Sequence, residues 1–95
     1  MKIIALEREL QSVSGDDASA LYREEARHVF SRYKEGVVRE IYLTEEHCAV
    51  IILECETVQS AKQILDGFPL VKAGVIAFDV HELRPYPGYG RLMQE

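Results

Sequence analysis

The chain has 95 residues, 47% of them hydrophobic, and carries 11 Lys plus Arg against 16 Asp plus Glu, a formal charge of -5. That length predicts one domain over residues 1–95; a domain this small buries only about 65% of its unfolded surface, which favours self-association. The acidic balance without a basic stripe argues against nucleic acid as a partner. The longest apolar runs, 49–53 and 74–78, are far short of the roughly 20 residues of a membrane span.

The opening Met1-Lys2-Ile3-Ile4-Ala5-Leu6-Glu7 meets charge too soon for a secretory h-region, so a cytoplasmic protein is expected. Residues 3–10 alternate, with Ile4, Leu6 and Leu10 on one face and Ala5, Glu7 and Glu9 on the other, which predicts a half-buried first strand. Ser14-Gly15-Asp16-Asp17 supplies cap oxygens and first-turn carboxylates for a helix. Along that helix Ala18, Leu21, Tyr22, Ala26, Val29, Phe30 and Tyr33 recur at helical spacing, and Gly36 suits its left-handed C-terminal cap.

Residues 37–43 and 47–55 are rich in β-branched side chains and flank the polar Thr44-Glu45-Glu46, which predicts a hairpin of strands two and three. Cys48 and Cys55 fall in the second of these an odd number of positions apart, so on a strand they point to opposite faces about 23 Å from each other. They are expected to be free, buried thiols, with no Cys-x-x-Cys motif. Thr57 can cap a second helix with apolar positions Val58, Ala61, Ile64 and Leu65, closed by Gly67 and stopped by Pro69. Residues 75–83 read as the last strand and 84–95 as an irregular tail containing Tyr86, Tyr89, Leu92 and Met93.

The order βαββαβ predicts an α+β, ferredoxin-like sandwich: a four-stranded antiparallel sheet with both helices on one face. Strand three alternates Ala49, Ile51 and Leu53 with Val50 and Ile52, so both faces need cover and one chain has helices for only one. A second copy packed sheet to sheet would cover the other, so the expected partner is the protein itself, at least as a homodimer. An RNA-binding βαββαβ domain is disfavoured because strand three lacks exposed stacking aromatics.

Several residue types suit chemistry. Glu24 and His28 lie one helical turn apart, but two ligands do not make a metal site and an exposed pair is expected. Glu25 sits nearer the apolar stripe and is the better candidate base, with an edge-of-core ion pair as the alternative. On strand four, Asp79 and His81 alternate with Ile76, Phe78 and Val80. If the apolar sets meet the helices, Glu7, Asp79 and His81 project together from the opposite face, His81 as a proton carrier or all three as an interchain polar cluster. His47 reads as a surface residue, and Gly88-Tyr89-Gly90 is too short for a phosphate loop.

In order and spacing, the sequence resembles the muconolactone isomerase family over nearly its whole length. The resemblance is carried by Leu21 with Glu24-Glu25, by Glu35-Gly36 and Arg39, by Thr57-Val58, by Phe68-Pro69-Leu70 where the family has Leu-Pro-Leu, and by Leu83 with Pro87. It implies a dimeric α/β barrel and a cofactor-free isomerase of a small unsaturated lactone or acid, without metal. The family's reaction moves a proton between carbons, which needs a base and a group to hold enolate-like charge. On this basis Glu25, Arg39 and His81 are candidate catalytic residues, and Tyr22, Glu7 and Asp79 candidate substrate contacts. Tyr22 stands where the isomerase has a lysine on the first helix, and Leu43 where it has an arginine, so the resemblance implies weaker anion recognition. The competing readings are a non-catalytic small-ligand-binding or oligomer-forming module, and a cofactor-free monooxygenase of the related barrel type, which has only fold analogy behind it.

Overall fold

The structure, a computed structural model, describes residues 1–93. Its elements are β1 (Lys2–Glu9), α1 (Asp16–Lys34), β2 (Val38–Leu43), β3 (Ala49–Glu54), α2 (Val58–Asp66), α3 (Pro69–Lys72), β4 (Ile76–Leu83) and a 3-10 helix (Pro87–Met93). Gln94 and Glu95, the end of the expected irregular tail, lie outside the described residues. The strands form one antiparallel sheet in the order β2-β3-β1-β4, the expected α+β, ferredoxin-like plan.

Local chemistry sets the element ends. Gly36 takes a left-handed φ of 83°, and the N–H groups of Gly36 and Val37 return to the carbonyls of Tyr33 and Arg32. Those two bonds close α1 in a Schellman motif, a conformation that costs glycine no Cβ clash. The N-terminus of α1 differs from expectation: Gly15 is the cap and no side chain bonds there, while Asp16 and Asp17 lie inside the first turn and act through the helix dipole. Thr57 caps α2 as expected, in a reciprocal capping box with Ser60. Pro69 does not only end α2; its fixed φ also starts the single turn α3.

The helix-covered sheet face carries the core. Ile3, Ala5, Val38, Ile51 and Leu53 pack there with Ala61 and Leu65 of α2 and with the fully buried Phe68. This reverses the faces expected for β1. Register decides the matter: Ile3 pairs with Leu53 and Ala5 with Ile51, so Glu7 follows them beneath the helices, while Ile4 and Leu6 pair with Ile52 and Val50 on the open face. Alternation alone was ambiguous because β1 has apolar residues on both sides. On β4 the expectation holds: Ile76, Phe78 and Val80 lean into the core. Asp79 and His81, opposite Leu6 and Ile4, are on the open face.

β3 is shorter than the sequence suggested. His47 adopts a left-handed φ of 64° in the hairpin turn, where its N–H donates to Thr44 O. Cys48 and Cys55, both free, then flank the strand at its two ends. β2 carries an irregularity between Val38 and Glu40, at Arg39, which shifts the pairing so that Ile41 and Leu43 stand opposite Ile51 and Ala49.

α1 departs most from a core helix. Of its apolar stripe only Ala18 is buried, and Tyr22, Phe30 and Tyr33 remain between 52% and 60% exposed. The core is closed by α2 and Phe68 instead, so the stripe of α1 lines a cavity.

Candidate active site

Between α1 and the helix-facing side of the sheet lies a cavity of about 780 Å³. Its walls come from one turn after another of α1 (Tyr22, Glu25, Ala26, Val29), from β2 and β3 (Ile41, Leu43, Ala49, Ile51) and from the start of β4. The small side chains Ala26 and Ala49 stand in facing elements and leave the volume that larger residues would fill. Such a space, apolar with a few polar groups, has the size and lining of small-ligand sites.

Two carboxylates reach into it, Glu7 from β1 and Glu25 from α1. Each is held by a backbone amide: Leu70 N–H donates to Glu25 Oε1 at 3.0 Å, and Ala49 N–H donates to Glu7 Oε1 at 3.0 Å. Burial pushes the Glu25 carboxyl above its ordinary value, the Leu70 hydrogen bond pulls against that, and the nearby charge of Glu7 adds to the rise. A half-buried carboxylate with one oxygen anchored keeps a second oxygen with acceptor capacity for a bound molecule. Among the described residues no Lys or Arg lines the cavity, and the ionisable group there besides the two carboxylates and the tyrosines is His47, at the hairpin rim.

The structure places the sequence candidates in three separate regions. Glu25, Glu7 and Tyr22 share the cavity, as does Leu43, so both positions expected to have lost a cation face the same space. Asp79 is on the open face, paired with Arg8 at 3.0 Å and not with Glu7. His81 is also exposed on the open face. Arg39 is exposed at the β2 irregularity, where its Nε donates to Gly36 O at 2.6 Å. Glu25, Arg39 and His81 are therefore not brought together within one protomer, and the expected cluster of Glu7, Asp79 and His81 is split by the sheet.

The Glu24 and His28 pair also differs from expectation. Glu24 is exposed, but His28 stands edge-on to Phe68, ring centroids 5.0 Å apart, with Nε2 buried and lacking a partner. Burial, with Arg32 and Lys72 nearby, lowers the His28 pKa. Residues missed at the sequence level are Phe30, Tyr33, Ile41 and His47, all at the cavity. Their signal was present: a helical stripe ending in Phe30 and Tyr33 has more aromatic and hydroxyl character than a close-packed core requires.

No family model matches the chain, and no curated protein matches it in sequence. Solved structures do match in shape. A crystal structure of muconolactone isomerase superposes with a TM-score of 0.77 at 17% identity, covering 92% of each chain. The 5-chloro-2-hydroxyhydroquinone dehydrochlorinase of Burkholderia phenoliruptrix AC1100, solved with 2,5-dihydroxybenzoquinone, superposes with a TM-score of 0.63 at 13% identity, covering 93% of this chain and 98% of its own. The chain thus has the muconolactone isomerase fold, as its sequence resemblance implied.

Proposed function

We propose that the protein binds a small, neutral, unsaturated lactone or related ring in the cavity between α1 and the sheet and isomerises it without a cofactor, Glu25 being the base. The observation that carries this reading is the Glu25 carboxyl, raised in basicity by burial in an apolar cavity and fixed by Leu70 N–H. Such a base would take a proton from the carbon between a carbonyl and a double bond, leaving an enolate-like oxygen. The same carboxyl would return the proton to the far carbon of the conjugated system, so one C–H bond breaks, another forms, and the double bond moves with no net redox change. The Tyr22 hydroxyl, at the rim, supplies a donor for the oxygen. A neutral ligand is favoured over an acid because, among the described residues, two carboxylates and no Lys or Arg line the walls.

The same geometry supports a second reading, a non-catalytic small-ligand-binding module, since no Lys or Arg among the described residues lines the cavity to stabilise developing negative charge. In this proposal Arg39 and His81 are structural, because neither reaches the cavity of its own protomer. The protein pairs with itself through the open sheet face, where Ile4, Leu6, Val50 and Ile52 have no helix over them, and works in the cytoplasm; no helix among the described residues is long and apolar enough to cross a membrane.

Deuterium uptake and double-bond migration in α-angelica lactone, followed by NMR in D2O, separate the readings. An isomerase accelerates both, and Glu25→Gln lowers the rate by about a hundredfold or more. Ligand-induced shifts of cavity resonances without any acceleration would overturn the enzyme reading and leave the module.

A further inference from the structure

The chain has three histidines, and the fold sends them to different places. His28 packs against Phe68 and His81 stands on the open sheet face, whereas His47 reaches the rim of the cavity from the hairpin between β2 and β3. Among the described residues His47 is also the only one other than glycine with a left-handed backbone, φ 64°. A turn that closes on a left-handed residue ordinarily takes glycine or asparagine there, because a larger side chain crowds the following carbonyl. The chain keeps an imidazole where glycine would relieve strain, and strain of this kind collects where a side chain has to be aimed.

The hairpin holds that imidazole on a fixed mount. His47 N–H donates to Thr44 O at 2.9 Å, and Thr44 N–H donates to Cys48 O at 2.9 Å. Thr44 Oγ1 accepts from the amides of Glu46 and Cys48, one on each side of His47. Ala49 N–H then donates to Glu7 Oε1 and ties the hairpin to a carboxylate inside the cavity. Glu25 enters the same space from the helical wall, held by Leu70 N–H. Base and imidazole therefore come from different walls, a helix and a hairpin, and each is anchored by backbone hydrogen bonds that a ligand need not rearrange.

We propose that His47 is the second catalytic residue: its ring N–H donates to the carbonyl oxygen of the bound ring and, with the Tyr22 hydroxyl, holds the enolate-like charge. This inference rests on the isomerase reading of the cavity and deepens it. When Glu25 removes the proton, the electron pair of the C–H bond moves toward the carbonyl oxygen, where the His47 donor meets it without giving up its own proton. The pair returns as Glu25 protonates the far carbon, so the imidazole ends as it began. An imidazole donates one N–H even when neutral. It thus supplies the donor that developing negative charge requires in a cavity lined, among the described residues, by no Lys or Arg.

The test compares two ligands on the full chain, one neutral, 2(5H)-furanone, and one, tetronate, that carries an enolate charge on the same ring. By NMR titration His47→Gly should weaken tetronate binding by about tenfold or more and furanone binding by less than about twofold, because a hydrogen bond to a charged oxygen is the stronger. His47→Asn, which keeps an N–H donor on a residue that tolerates left-handed backbone, should recover part of the loss. The urea midpoint of His47→Gly should rise as the strain is removed, so that weaker binding is not a folding defect. A wild type that does not bind tetronate, an unchanged tetronate affinity in His47→Gly, or equal losses for both ligands with a lowered urea midpoint would each overturn the proposal. These titrations need no turnover. Tetronate discrimination without isomerisation of α-angelica lactone would remove the isomerase reading and keep His47 as the oxygen donor; isomerisation undiminished in His47→Gly would remove His47 and keep the isomerase.

Discussion

The Leu70 amide and the Glu25 carboxylate, 45 positions apart in sequence, meet at 3.0 Å and tie the α3 turn to the middle of α1. That bond holds α1 in position over the sheet while its apolar stripe stands off the core, and it aims one oxygen of a half-buried carboxylate. The same contact opposes the rise in basicity that burial causes, and the rise still prevails.

A pH-dependent stability contribution follows from this balance. The folded state holds the Glu25 proton more tightly than the unfolded chain, whose glutamate titrates near 4.5. The residue therefore lowers stability progressively as pH rises from that value through the raised folded one, and by a constant amount above it. Glu25→Gln keeps an acceptor for Leu70 N–H and removes the titration. Urea midpoints at pH 4, 6 and 8 should show the variant gaining on the wild type with pH; a constant difference would mean that Glu25 titrates alike in both states.

Restoring cations should change which ligands bind. Tyr22 and Leu43 both line the cavity, and Tyr22→Lys with Leu43→Arg would put two positive groups beside Glu7 and Glu25. Calorimetry with muconolactone, an anion at neutral pH, should show the double variant binding about tenfold to a hundredfold tighter than the wild type, the worth of one charge-assisted hydrogen bond. Equal affinities would mean that the added cations are neutralised by the two glutamates.

Phe68 is wholly buried and touches both His28 and Phe78 edge-on. Phe68→Ala should cost about 3–5 kcal/mol through lost burial and a residual cavity, and it should expose His28 Nε2 to water. A denaturation midpoint near that of the wild type would show that α1 and α2 collapse into the space.

The open sheet face predicts dimerisation through apolar contact. Ile52 pairs with Ile4 at its centre, so Ile52→Asp places an unpaired charge where a second sheet would pack. Sedimentation equilibrium should find assemblies above the 10.8 kDa chain mass for the wild type and weakened association for the variant. A wild-type monomer at micromolar concentration would remove this face as an interface.

Much of the architecture was legible in the sequence because it rests on local rules. Gly36 needed no partner to end α1, Thr57 capped α2 from three residues away, and the β-branched runs around Thr44-Glu45-Glu46 specified a hairpin. The alternation of β4 also placed Asp79 and His81 correctly, since its apolar residues occupy one side. Glu25 was identifiable as a carboxylate beside an apolar stripe.

What remained was decided by contacts between distant segments. β1 is apolar on both sides, and only its register against β3 shows that Ile3 and Ala5, not Ile4 and Leu6, are covered by the helices. That single choice carries Glu7 into the cavity and separates it from Asp79 and His81. The β2 irregularity turns Arg39 toward Gly36 O, and nothing in a linear pattern marks where the pairing shifts. A stripe such as Tyr22, Val29, Phe30 and Tyr33 reads the same whether it fills a core or lines a cavity. The difference lies in whether another element occupies the volume first, and here α2 with Phe68 does so.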